Sequence, residues 1–360
     1  MSDAVLEHML AHPFSFAECD KLPGLLNGLN ALTRHHAERC QPYRAILDVL
    51  YNGCTSAEQS TLVPPLPVRL FKLMTLRSVE EPDVVRQLTS SGTTGQAVSK
   101  IYLDAETARL QVRALAAIVG NWLGARRRPM IIIDQKSTLS SRSVFSARAA
   151  GVLGFANFGS RHHYLLDDKM RPDWNALRAW LSVVGEQPVL LFGFTSMVWQ
   201  FFVQAAHSAG VSFAFPSGSL LIHGGGWKKL HDQRVNNSCF KEALDENFAI
   251  RQVANYYGMV EQVGSIFMEC EHGHLHAPAF AEVIVRNPNT LQPLPAGATG
   301  VLQVLSLLPR SYPGHSLLTE DVGAVLGTDN CPCGRLGRFF RVEGRLPKAE
   351  LRGCSDVRRV

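Results

Sequence analysis

Most of the quick signatures of function are missing from these 360 residues. Lys and Arg form no run beyond "ARRRP" at 125–129 and "DVRRV" at the C-terminus, and the formal charge is only +5. A nucleic-acid partner is therefore not expected. The first residues, "MSDAVLEHML", lack a basic segment followed by an apolar one, so no secretory leader is expected. The most apolar window, "VLLFGFTSMVWQFFVQAA" at 189–206, is interrupted by Gly193, Thr195 and Ser196. It reads as a buried strand followed by a core helix, not as a membrane span. Neither a G-x-G-x-x-G pattern nor a Walker lysine is present, and there is no internal repeat. The eight cysteines, with no export signal, are expected to be reduced thiols of a cytoplasmic protein.

What remains is an ordinary globular composition, 46% apolar and 19% charged, long enough to bury a large core. Residues 1–60 carry a helical pattern broken at Pro42, and "LVPPLPVRLF" at 62–71 is an extended connection. The runs "PMIIIDQKS" at 129–137, "PVLLFGFTS" at 188–196 and "GSLLIHGGGWKKL" at 218–230 share one form. Each is a short apolar stretch ending in Gly, Ser or His, the mark of a buried parallel strand with chemistry at its C-terminal end. Past residue 276 the texture changes to short antiparallel strands with Pro and Gly turns. The fold class expected is α/β, with mixed sheets flanked by helices.

One stretch stands apart, "TSSGTTGQAVSK" at 89–100. A flexible linker is one reading. The other is a phosphate loop, because glycines free the backbone N–H groups to surround an anion and the hydroxyls can assist. Its flanks are folded sequence, which weighs against a linker.

"SSGTTG" resembles the phosphate-binding signature of the adenylate-forming ligases. Four further stretches follow in that superfamily's order: "HGGGWKK" at 223–229, "NYYGMVEQ" at 255–262, "LLTEDVG" at 317–323 and "EGRLPKAELRGCSD" at 343–356. The length, "SYPGHSLLTEDVG" and the "ELRGCSD" ending resemble, more narrowly, the long-chain acyl-protein synthetases of the LuxE type. The similarity runs from about residue 85 to the end. It implies a helical subdomain at 1–84, an adenylate-forming core at 85–343 and a short C-terminal remnant at 344–360, with the usual C-terminal lobe nearly absent.

The resemblance also implies roles. Ser90, Ser91, Gly92, Thr93, Thr94 and Gly95 would wrap the triphosphate of ATP. His223, Gly224, Gly225, Gly226, Tyr257 and Gly258 would lie along the adenine. Asp321 would accept the ribose hydroxyls, with Arg345 as a ribose or phosphate contact. Glu261 would carry Mg²⁺, a hard cation that takes carboxylate and phosphate oxygens. Taken singly, Glu261 and Arg345 read as surface charges, Tyr257 as core and Asp321 as a turn residue. Cys354 would be the acyl acceptor, its thiol made more acidic by Arg352, Arg358 and Arg359 nearby. Without the resemblance it is an incidental cysteine in a frayed tail.

Where such ligases place a lysine just after the phosphate loop, this chain waits until Lys100. The lobe that bears their catalytic lysine has no counterpart, and Lys228 and Lys348 are the substitutes. Phe192, Phe194, Trp199 and Phe202 could line an apolar acyl channel, with core packing the blander role.

A second cluster is independent of ATP. "ECEHGHLH" offers Cys270, His272, His274 and His276, which share one face if the segment is an extended strand. "CPCG" offers Cys331 and Cys333. Cys270, His276, Cys331 and Cys333 would make a tetrahedral Cys₃His zinc site, with His272 competing as the fourth ligand; reduced thiols in a polar turn are the alternative.

The function expected is ATP-dependent loading of a fatty acid onto Cys354 for delivery to a reductase or acyltransferase partner. The alternatives are a ligase that passes an acyl or aryl group to CoA or a carrier protein, and a nucleotide-binding scaffold without catalysis.

Overall fold

The computed structural model describes residues 3–90, 97–139, 145–227 and 234–346. In chain order its elements begin with helices α1 (Asp3–Ala11), α2 (Glu18–Arg39) and α3 (Gln41–Tyr51), strand β1 (Leu66–Pro67) and helix α4 (Leu70–Leu73). The hairpin β2 (Arg86–Thr89) and β3 (Lys100–Leu103) leads to α5 (Ala105–Leu123). Then come β4 (Arg128–Gln135), β5 (Phe145–Ser146), α6 (Ala147–Ala156), β6 (Gly159–Leu166), α7 (Trp174–Val184) and β7 (Leu190–Phe194). A helix over 195–209, α8, precedes β8 (Leu220–Gly224), α9 (Asn237–Phe248) and β9 (Gln252–Tyr257). The rest is strand: β10 (Phe267–Glu269), β11 (Leu275–His276), β12 (Ala281–Arg286), β13 (Gly300–Ser306), β14 (Ser316–Thr328) and β15 (Arg338–Arg345).

These elements group into two compact units. The first draws on 3–90, 97–121 and 257–346, the second on 122–139, 145–227 and 234–256. The segment expected to be a helical subdomain, 1–84, thus shares its unit with the late antiparallel strands, and the expected core at 85–343 is divided between both units.

The second unit is a parallel sheet in the order β9–β8–β7–β4–β6. Its central strands are buried on both faces, which is why they read as unbroken apolar runs. Helices α6 and α7 between them start where a side chain satisfies a free backbone N–H. Ser146 accepts from the amide of Ala149 at 3.1 Å, and Asp173 accepts from that of Ala176 at 2.9 Å. Helix α8 departs from expectation, because its middle, Val198–Gln204, is a π-helix.

The first unit is an antiparallel sheet in the order β12–β13–β14–β15–β11–β10, with β1 parallel to β14. Strands β12 and β13 are buried throughout although Glu282, Arg286 and Gln303 lie on them. Each of these polar groups is answered. Lys21 of α2 reaches Glu282 at 2.9 Å and the Ala281 carbonyl at 3.2 Å, and Arg286 donates to Gln303 at 2.6 Å. A buried ion pair is costly to desolvate, so it fixes where α2 meets β12 more than it adds stability.

Candidate active site

The loop read as a phosphate cradle joins two antiparallel strands, with Thr89 paired to Lys100. Ser91, Gly92, Thr93, Thr94 and Gly95 lie outside the described residues. The neck of the loop is described. Ser90 donates its amide to the Ser99 carbonyl at 3.1 Å, and the Ser99 amide donates to the Ser90 hydroxyl at 2.9 Å. Lys100, at the first position of β3, is exposed.

The Ser99 hydroxyl is buried, with no hydrogen-bond partner among the described residues. The carboxylate of Glu261 is buried, on a short 3₁₀ turn after β9. Burial pushes its pKa up. The turn is held by Gln262, whose amide donates to the Gly314 carbonyl at 2.9 Å and to the Val304 carbonyl at 3.2 Å. Gly264 then adopts φ +88°, and a Cβ there would lie 2.8 Å from the Gln111 Cα, so only glycine fits. Glu261 is not the surface carboxylate its residue type suggests.

Asp321 is not a turn residue either. It lies within β14, opposite Arg345 of β15. Arg345 Nε donates to Asp321 Oδ1 at 2.8 Å, and the Tyr257 hydroxyl donates to Oδ2 at 2.7 Å. Burial first, and then the Asp321 charge, hold the Tyr257 phenol well above its usual range, so it stays a donor. Its ring meets Phe267 at 6.0 Å and the edge of Phe340 at 6.2 Å between centroids. Gly258 follows Tyr257 directly and begins the turn to Glu261. The first unit thus brings Tyr257, Gly258, Asp321 and Arg345 into one frame, with Glu261 four residues past Tyr257.

In the second unit the "HGGG" segment ends β8. Gly193 pairs with His223 and Phe194 with Gly224. His223 is buried against Phe240, with ring centroids 4.6 Å apart. Burial lowers its pKa to about 3, so the ring is neutral. The Thr195 hydroxyl donates to the Gly224 carbonyl at 3.1 Å, so it must accept from His223 Nδ1–H at 2.9 Å. That leaves Nε2 as a buried lone pair without a partner among the described residues. A Cβ on Gly224 would meet the Tyr256 ring at 2.6 Å, and Gly225, at φ +83°, would meet Phe194 at 2.9 Å. Gly226, at φ +67°, faces open space.

Phe192, Phe194 and Phe202 are core residues. Phe192 stacks on Phe155 at 4.3 Å and Phe202 on Phe248 at 4.1 Å, and Trp199 lies 5.9 Å from Phe240. Packing, not an open channel, is what the described residues show for them. Cys354, Lys348 and Lys228 lie outside the described residues.

The metal-ligating candidates do meet. The donor atoms of Cys270, His276, Cys331 and Cys333 all lie within 4.8 Å of one another. The expected extended strand through 270–276 is not what brings them together. Residues 270–274 form a turn, with Gly273 at φ +78° and the Cys270 amide bonded to the His274 carbonyl at 2.8 Å. This turn leaves His272 exposed and outside the set, while His274 Nδ1 lies 3.2 Å from the Cys331 sulfur. Burial lowers the His276 pKa to about 4, which keeps the ring neutral and able to ligate.

Three supporting residues carried no readable signal: Ser99, Thr195 and Gln262. Each is a common polar type, and the partners of Thr195 and Gln262 lie far along the chain. Only the place of Thr195, just past an apolar strand, hints at a role.

Comparison with known proteins follows this geometry. The family profile described as "Acyl-protein synthetase, LuxE" matches residues 2–359. The long-chain-fatty-acid–luciferin-component ligase of Vibrio harveyi is 25% identical over 339 residues, covering 89% of this chain and 84% of that protein. The ligase of the same name from Aliivibrio fischeri is 23% identical over 299 residues, covering 81% and 77%. Among solved structures, an open conformation of 2-hydroxyisobutyryl-CoA ligase with 2-HIB-AMP and CoA aligns at TM-score 0.69 and 15% identity, over 93% of this chain and 77% of that one. The postadenylation state of that ligase aligns at 0.68 and 15%, over 92% and 69%. At these identities the structural match speaks for the adenylate-forming fold.

Proposed function

This chain belongs to the LuxE family of acyl-protein synthetases, and from that premise we propose that it activates a fatty acid with ATP and carries the acyl group on its own Cys354. The observation that carries the nucleotide half is the Tyr257–Asp321–Arg345 frame beside a buried Glu261. A carboxylate held by a phenol and a guanidinium keeps lone pairs for the two hydroxyls of a ribose.

The reaction on this reading has two steps. A carboxylate oxygen of the fatty acid attacks the α-phosphorus of ATP. The bond to the β-bridging oxygen breaks, and pyrophosphate leaves with its electron pair. The Cys354 thiolate, its proton given to solvent, then attacks the acyl carbon. A C–S bond forms, the C–O bond to the phosphate breaks, and AMP leaves. Positioning and charge neutralisation carry most of such a step.

Ser90 and the loop residues Ser91, Gly92, Thr93, Thr94 and Gly95 hold the triphosphate, and His223, Gly224, Gly225 and Gly226 border the adenine. On the same reading Lys100, exposed at the start of β3, meets the phosphates. Glu261 fits Mg²⁺, because its desolvated carboxylate would be relieved by a cation. When bound, Mg²⁺ supplies neutralisation of the phosphate charge. Zn²⁺ at the Cys/His cluster belongs to the same reading as a structural ion, outside the reacting centre.

The acyl group is passed on to a reductase or acyltransferase. No helix among the described residues is long and apolar enough to cross a membrane. A cytoplasmic setting, where thiols stay reduced, suits a cysteine acceptor.

The test is acylation of the purified protein by ATP, Mg²⁺ and labelled tetradecanoic acid, beside Cys354→Ala. The expected result is hydroxylamine-labile label on wild type and none on the variant. Label on neither, with pyrophosphate released, moves the acceptor to CoA or a carrier protein. Neither label nor pyrophosphate, with or without an added acyl-reductase, removes catalysis and leaves the scaffold.

A further inference from the structure

We infer that a single Zn²⁺ held by Cys270, His276, Cys331 and Cys333 clamps the loop between β14 and β15 onto the turn between β10 and β11, and so sets the Tyr257–Asp321–Arg345 frame. The inference rests on the zinc reading of the cluster and adds what the ion does.

The four donor atoms lie within 4.8 Å of one another, and two of their separations approach the edges of a tetrahedral zinc site. Zn–S and Zn–N bonds of about 2.3 and 2.0 Å give tetrahedral edges of about 3.8 Å between sulfurs and about 3.5 Å between sulfur and nitrogen. The Cys270 and Cys331 sulfurs are 3.9 Å apart, and Cys333 Sγ is 3.3 Å from His276 Nε2. Both halves of the site are tight turns. The Gly273 amide donates to the Cys270 carbonyl at 2.9 Å, and the Gly334 amide to the Cys331 carbonyl at 3.0 Å. Gly273 and Gly334 sit at φ +78° and +79°, the left-handed backbone that favours glycine in such turns.

The surroundings suit three thiolates. Ligation releases three thiol protons to solvent and leaves the centre with one net negative charge. The Arg335 guanidinium is paired to Glu271 at 3.0 Å, and His274 Nδ1 stands 3.2 Å from Cys331. A guanidinium charge and an imidazole outside the ligand set suit a centre of net negative charge. Phe339 covers the cluster, its ring 4.9 Å from that of His274 and 5.8 Å from that of His276.

Coupling to the frame runs through β15. Strand β11 is two residues long, and its ladder to β15 is only His276 with Phe339 and Leu275 with Phe340. A ladder that short does little to hold two hairpins together. The ion would link the hairpins on either side of it. Phe340 in turn touches Phe267 at 5.1 Å and Tyr257 at 6.2 Å, and Tyr257 holds Asp321.

The experiment measures metal content and AMP binding on the full chain. Mass spectrometry of the metals should find one zinc per chain in wild type and in His272→Ala, and less than a tenth of that in Cys331→Ser. Cobalt exchanged into wild type should show a thiolate charge-transfer band and tetrahedral ligand-field bands. Stripping zinc with a chelator should weaken AMP binding by calorimetry about tenfold, the scale of coupling between packed elements. Far-UV circular dichroism of the same sample should be unchanged, and zinc, not Mg²⁺, should restore affinity.

Absence of metal, with Cys270, Cys331 and Cys333 all freely titrating, overturns the zinc reading. Stoichiometric zinc whose removal leaves AMP affinity unchanged overturns the clamp and spares the zinc.

Discussion

Acid should undo the first unit through two histidines that the fold holds neutral. His36 of α2 and His315, the residue before β14, stack with centroids 5.1 Å apart and planes 28° apart. His36 Nε2 lies 3.1 Å from the Pro309 carbonyl, which can only accept, so Nε2 carries the proton and Nδ1 accepts from Ser78 at 2.8 Å. The Thr33 hydroxyl donates to the Leu29 carbonyl at 3.0 Å and must therefore accept from His315 Nε2–H at 2.9 Å. His315 Nδ1 is left as a buried lone pair with no partner among the described residues. A second proton there would be a buried donor with nothing to receive it. The groups facing the pair are the half-buried His35 and the edge of Tyr43. Burial, then His315 and His35, holds His36 well below its ordinary value, and burial, then His35, takes His315 to about 3.

Because the folded pKa values are lowered, the unfolded chain takes up these protons first. The stabilisation is complete above the unfolded value of about 6.5 and is lost as pH falls from there toward the folded values. One such histidine costs about 1.4 kcal/mol between pH 7.5 and pH 5.5, and the pair about 3 kcal/mol. The assay is urea unfolding at pH 7.5, 6.5 and 5.5, beside His315→Asn. The substitution shifts stability at every pH, but the slope reads protons alone. The variant should lose one proton of slope, about 1.4 kcal/mol per pH unit below 6. Parallel curves for wild type and variant would mean His315 titrates normally in the fold, and the reasoning would be wrong.

Three further outcomes follow from single contacts. Lys21→Met leaves Glu282 buried with Arg338, at 3.7 Å, as its one cation among the described residues, and should cost about 3–5 kcal/mol in urea unfolding; a loss under about 1 kcal/mol would mean the pair is not closed. Tyr257→Phe removes one hydrogen bond to Asp321 and should weaken ATP binding about fivefold to tenfold by calorimetry, with little change in melting temperature; unchanged affinity would free Asp321 from any dependence on the phenol. Gly264→Ala puts a side chain at φ +88° against the Gln111 backbone and should cost about 1–3 kcal/mol, lowering melting temperature and pyrophosphate release together. Normal behaviour of that variant would show that the turn after Glu261 adjusts easily.

The parts of the fold that the sequence made readable are those where residue type and local period agree. The runs at 129–137, 188–196 and 218–230 became β4, β7 and β8 because parallel strands covered on both faces must be apolar throughout. Strand β6, "GSRHHYLL", was not readable, since it ends the strand order beside β4 and tolerates Arg161, His162 and His163. The π-helix at Val198–Gln204 has the same apolar content as an α-helix, so periodicity does not separate them. The Cys/His set was readable as chemistry, but its route was not. Gly273 makes a turn where alternation suggested a strand, and that turn, not a shared strand face, leaves His272 out. Pairs such as Asp134 with Arg148 or His36 with His315 depend on which elements the fold brings together, and no local pattern encodes that.

The Tyr257–Asp321–Arg345 frame shows why the motif residues stand out while their supports do not. Asp321 Oδ1 receives Arg345 and Oδ2 receives Tyr257, one donor on each oxygen. An ionised carboxylate has about four lone-pair sites, so two remain. An Asn at that position would turn one oxygen into a donor and leave the guanidinium short of charge. Only an acidic side chain of this length can accept from phenol and guanidinium and still accept from a diol. On the proposed reading, that demand leaves little choice of residue at 321. Phe267 and Phe340, which set the Tyr257 ring, need only fill space, and several apolar residues can do that. Chemistry narrows the choice of residue, packing widens it, and the frame is legible at 321 and silent at 267 and 340 for that reason.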